Sequence, residues 1–117
     1  MRMIVDNDLH IHSGISLCSG RKDQTPANIL KYAEDNGLST ICLTDHFWDE
    51  SVKSDLNDFY RIQDSEHISA ALPLPTSDKV RFLFGVETDL DKNCVVGVAP
   101  EHYDRYAFIS SRPHIFI

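Results

Sequence analysis

The run from residue 3 to residue 44 spells strand, helix, strand, and this order restricts the fold more than any other feature of the chain. The helix is bounded at both ends by its own chemistry. Thr25 is a good N-cap, and Pro26 suits the first helical position, where no N–H is needed. Ala27 to Asn36 follow with Ile29, Leu30 and Ala33 on one side, and Gly37 supplies a left-handed stop. Before the helix, residues 3–12 read as a strand and residues 13–24, with Gly14, Ser16, Ser19, Gly20 and Asp23, as a loop. After it, Leu38 to Thr44 form a β-rich run. A strand that returns through a helix of this length pairs in parallel with its predecessor. The expected class is therefore α/β, with mainly parallel strands and crossover helices.

Further along, residues 47–60 are acidic and irregular, and Phe47, Trp48, Phe59 and Tyr60 are expected to form a small core of that loop or a lid. Ile62 to Leu72 reads as a helix ending at Pro73 and Pro75, with His67 on its surface. Val80 to Glu87 is a third strand, Thr88 to Asn93 a turn and Cys94 to Ala99 a further strand. Pro100 to Tyr103 starts a short helix or turn with His102 exposed, and Tyr106 to Ser111 is the last strand.

Several strands end in groups that bind metals. In a strand, His10 and His12 share one face with their Cα atoms ~6.5 Å apart, which lets two neutral imidazoles meet one divalent ion. Two solvated histidines near a chain end would look the same, so the downstream strand ends decide. Thr44-Asp45-His46 closes the second strand, Glu87 closes the third, and His114 stands just past the last. In parallel α/β folds the C-terminal edge of the sheet is where chemistry collects. A carboxylate such as Glu87 at the end of an apolar strand calls for a partner or an ion.

A length of 117 residues suits one domain. The net charge of −7, with no cluster of Lys or Arg, disfavours a nucleic-acid or anionic-membrane surface. Bound metal would offset that charge locally, which keeps small phosphorylated substrates open. Cys18, Cys42 and Cys94 have no C-x-x-C spacing, so zinc-knuckle and redox readings lack support. Cys42 and Cys94 sit in apolar runs and are expected to be buried thiols. With no signal-peptide pattern and no long apolar run, the expected setting is reducing and cytoplasmic.

Taken together, these strand ends resemble the PHP family, named for polymerase and histidinol phosphatase. The resemblance lies in Asp8-Leu9-His10-Ile11-His12-Ser13, in Leu43-Thr44-Asp45-His46 and in Gly85-Val86-Glu87, with His114 similar in position to the family's next histidine. It implies a single PHP-like domain over residues 1–117, forming the N-terminal part of a distorted (β/α)7 barrel. It also implies up to three divalent ions, zinc, manganese or iron, at the C-terminal face. By similarity His10 and His12 bind one ion, Glu87 bridges two, His114 binds the second and His46 the third. Asp45 orients or polarises a neighbouring histidine, so Glu87 and Asp45 are the catalytic candidates. Cys18 or Asp23 stands where the family often has a further histidine.

The implied activity is hydrolysis of a small phosphomonoester by metal-bound hydroxide, as in histidinol phosphatases. A polymerase-type nuclease and a non-catalytic metal-binding remnant stay open as alternatives. The chain stops at Ile117, ahead of the family's later His and Asp-x-His motifs. It thus covers about half of a ~250-residue barrel. The edge of its last strand is a candidate surface for self-association.

Overall fold

A computed structural model of the chain describes residues 6–16, 21–53, 62–91 and 93–113. In order these residues form β1 (Asn7–Ile11), α1 (Pro26–Asp35), β2 (Thr40–Phe47), α2 (Ser65–Ser69), β3 (Arg81–Leu90), a 3-10 helix (Pro100–Arg105) and β4 (Ile109–Pro113). The strands make one sheet in the order β1-β2-β3-β4, every pair parallel. The strand–helix–strand order predicts parallel pairing, and this curled all-parallel sheet with helices matches part of a (β/α) barrel, the fold that the family resemblance implies.

The local chemistry of α1 is as the sequence dictates. The Thr25 hydroxyl accepts from Asn28 N at 3.2 Å, and Pro26 opens the first turn. At the other end Gly37 adopts φ 71°, which lets Leu38 N donate to Ala33 O and Gly37 N to Glu34 O, a Schellman closure. Ile29, Leu30 and Ala33 face inward and pack with Ile41, Leu43, Ala71 and Val80. A second cluster, Phe47, Ile68, Val86 and Val98, fills the space beside β3. Trp48 is also fully buried, its indole N–H bonded to Val52 O at 2.9 Å.

Four expectations are corrected. The strand ending at Glu87 continues through Thr88 and Asp89 to Leu90, because β4 pairs alongside as far as Pro113. Residues 94–99 form no strand, only an isolated bridge from Leu90 to Val96. There the Asp91 carboxylate accepts from Asn93 N and Val95 N at 2.8 and 2.9 Å, which curls the chain and holds Cys94 exposed at φ 60°. Cys42 is buried as expected, and burial pushes its thiol up to about 11. The helix foreseen over 62–72 shrinks to α2, started by the Asp64 side chain, which accepts from His67 N.

Two details of the sheet position its C-terminal edge. Between Asp8 and Ile11 the β1–β2 register shifts, and the Thr44 hydroxyl takes the Ile11 N–H at 3.1 Å in place of a ladder bond. Gly85 packs against Phe108, the residue just before β4. A Cβ there would strike the Phe108 carbonyl and come within 2.8 Å of Cys42 Sγ. Gly85→Ala is therefore expected to destabilise the fold by about 1–3 kcal/mol through overpacking. A lower urea midpoint at an unchanged slope would report it.

Candidate metal centre

Parallel pairing sets His46 opposite Glu87 and Glu87 opposite Ser110. Residues paired in this way share a face of the sheet, so the three side chains form a row across β2, β3 and β4. The end of β1 adds His10 and His12. Glu87 is 4% exposed, and its Oε2 lies 2.6 Å from His12 Nε2, 3.5 Å from His10 Nε2 and 3.6 Å from His46 Nε2. The His10 and His12 rings are 5.0 Å apart between centroids, and the His12 and His46 rings 4.6 Å.

One ligand atom each from His10, His12 and Glu87 falls within 4.8 Å of the other two. That is close to the span of a single ion with bonds of about 2.0–2.2 Å. His46 meets the same carboxylate from β2. Burial, with His12 adding to it, pulls the His46 pKa below its usual value against the opposing charges of Glu87, Asp89 and Asp45. The neutral ring keeps a lone pair for an ion near pH 7. Its Nδ1 is buried without a hydrogen-bond partner among the described residues. Imidazoles around one buried carboxylate, with a ring nitrogen unsatisfied, fit a divalent ion of the zinc, manganese or iron type.

The loop after β1 is fixed by Asp45. Its carboxylate accepts from Ser13 N at 2.6 Å, from Ser13 Oγ at 2.7 Å and from Ser16 Oγ at 2.7 Å. The Ser16 hydroxyl in turn accepts from His46 N at 3.2 Å, so Asp45 reaches His46 through a serine. Gln24 holds the same loop by donating to His12 O at 2.6 Å.

Of the residues singled out in the sequence, His10, His12, His46 and Glu87 come together. Cys18 and His114 lie outside the described residues. Asp23 is an exposed partner of Arg21 at 3.5 Å and, with His10 and His12, lines a cavity beside the Glu87 group without joining it. His67, expected at the surface, is half-buried and bonds Ile15 O at 2.6 Å. The sequence reading passed over Asp89, whose Oδ2 lies 4.0 Å from His46 Nδ1, and Ser110, whose buried hydroxyl has no hydrogen-bond partner among the described residues. Asp89 is two residues past Glu87, so period-two spacing would have shown it had β3 been drawn to full length.

His102, expected to be exposed, is instead tied to Asp49 just past β2. The Asp49 carboxylate accepts from His102 Nδ1 at 2.6 Å, Ser51 Oγ at 2.6 Å, Ser51 N at 3.0 Å and Ala99 N at 3.1 Å. Burial alone would raise its pKa. The bonds from Ser51, His102 and Ala99 outweigh burial and hold it at about 2, well below the usual carboxylate range. Ionised Asp49 thus stabilises the fold above pH ~4, and that contribution is lost as pH falls through about 2. Asp49→Asn is expected to flatten the acid limb of stability by on the order of 2 kcal/mol. Urea unfolding of both proteins at about pH 5 and about pH 2.5 measures it.

Searches of curated proteins and of solved structures gave no match. A family model described as the PHP domain matches residues 8–113. Such domains are of a metal-dependent phosphoesterase type, and the matched stretch contains His10, His12, His46 and Glu87. The match covers most of the chain, and the chain belongs to the PHP domain family.

Proposed function

We propose that the domain is a phosphoesterase that uses divalent metal ions to hydrolyse a small phosphomonoester. The observation that carries this reading is the convergence of His10, His12 and His46 on the buried Glu87 carboxylate. Glu87 and the two β1 histidines would hold one ion, and His46 approaches the same carboxylate from β2. A bound divalent ion supplies water of lowered pKa and neutralises charge on the phosphoryl oxygens. Zinc, manganese and iron all suit this donor set.

The protein's own groups do the rest. The His10 side chain is 57% exposed, so the centre opens to solvent on the β1 side, where a substrate enters. Beside it lies a cavity of about 640 Å³. His10 and His12 form part of its wall, Arg21, Gln24, Asn28 and Tyr32 line it on the α1 side, and Ile29 and Ala33 supply apolar surface. This volume suits a small organic leaving group. Asp8 and Asp23 also line the cavity, and Asp23 pairs with Arg21 at 3.5 Å. A net charge of −7 opposes a polynucleotide on the same surface, which favours a small phosphomonoester over a nucleic-acid substrate.

Two measurements test the reading. Metal analysis of purified protein is expected to give at least one equivalent of zinc, manganese or iron, and His10→Ala/His12→Ala should lose most of it. Manganese-supplemented protein is expected to hydrolyse an aryl phosphate far faster than that double mutant. Equal rates with metal still bound would leave a metal-binding domain without phosphatase activity.

A further inference from the structure

We propose that Asp89 is the positioning residue of the metal centre: it takes the Nδ1 proton of His46 and so turns the Nε2 lone pair toward Glu87 and a divalent cation. The inference rests on the metal-site reading above and deepens it. His46 stands between two carboxylates. Its Nε2 is 3.6 Å from Glu87 Oε2, and its Nδ1 is 4.0 Å from Asp89 Oδ2. Both acids are buried, at 4% and 3% exposure. Their placement follows from β3 running on to Leu90, since residues 87 and 89 then share the face that His46 meets from β2.

A neutral imidazole has one N–H and one lone pair. With an acid at each nitrogen, one lone pair faces negative charge whichever tautomer forms. A cation beside Nε2 and Glu87 removes the conflict in one way only. The lone pair of Nε2 goes to the ion, and the Nδ1 proton goes to Asp89. Nδ1 is buried and has no hydrogen-bond partner among the described residues, so its proton has no nearer acceptor there. The present 4.0 Å separation is beyond hydrogen-bond range. It shortens as the ring takes up the ion.

Three other buried carboxylates near this edge meet groups away from the His46 ring. Asp45 serves Ser13 and Ser16, Asp49 serves Ser51, Ala99 and His102, and Asp91 serves Asn93 and Val95. The Asp89 oxygen faces the Nδ1 side of His46, opposite the side that Glu87 meets. A carboxylate behind a ligating histidine fixes its tautomer and raises its basicity, and losing such a partner lowers metal affinity about 10–100-fold.

The test uses zinc with the metal-free and zinc-loaded chain. Long-range nitrogen–proton NMR of histidine-labelled wild type, with His46→Gln to assign the ring, is expected to show the Nδ1–H tautomer of His46 once zinc is bound. Competition titration is expected to show zinc held about 10–100-fold more weakly by Asp89→Ala, with Asp89→Asn in between and the stoichiometry unchanged. An Nε2–H tautomer in the loaded wild type, or wild-type affinity in both variants, overturns the role of Asp89 and leaves the metal-site reading standing. Loss of a whole equivalent of zinc in both variants would make Asp89 a ligand, which also overturns it. Failure of wild type to bind zinc, manganese or iron overturns both readings. The tautomer measurement needs no Asp89 variant, so it decides even if those variants fold poorly.

Discussion

The contact of Glu87 with three imidazoles is the constraint around which the rest of the edge is built. A carboxylate removed from water inside a sheet is costly unless opposite charge or donors surround it. Here the surroundings come from two other strands, so the cost is met only when β1, β2 and β3 are aligned in one register. The Thr44 bond to Ile11 and the register shift beside it let His10 and His12 reach inward at the end of β1. The eight-pair register of β2 with β3 puts His46 level with Glu87. A slip of one residue in that ladder would send His46 to the opposite face and leave the carboxylate facing apolar surface.

Among the described residues this edge holds four further buried acids, Asp45, Asp49, Asp89 and Asp91. Asp45, Asp49 and Asp91 are satisfied by hydroxyl, backbone or imidazole donors, which turn loops into fixed supports. Asp89 and Glu87 face the rings. Negative charge therefore concentrates where the ion is expected, while acids a few residues away serve as caps and latches. This division explains how an acidic chain stays folded without clustered basic residues.

What the sequence made legible was local or periodic. The α1 boundaries follow from Thr25, Pro26 and Gly37, whose effects reach only a few residues, and the places of His12 and His46 near the ends of β1 and β2 follow from where apolar runs stop. The length of β3 was hidden, because Thr88-Asp89-Leu90-Asp91 has turn-like composition and only pairing with β4 keeps it extended. The Asp49–His102 bond spans 53 residues, and no local pattern announces it. Cys94 looked like a core thiol from its apolar neighbours, but the turn around Asp91 moves it outward.

His12 and Glu87 are 75 residues apart in the chain. Closing that distance is a late event for a chain made on a ribosome, since β3 must emerge and pair before the carboxylate has any imidazole to meet. Any ion the centre binds therefore recognises the assembled sheet and nothing earlier. Its binding energy is added to the stability of the finished fold alone. A chain with a slipped β2–β3 ladder would gain nothing from such an ion.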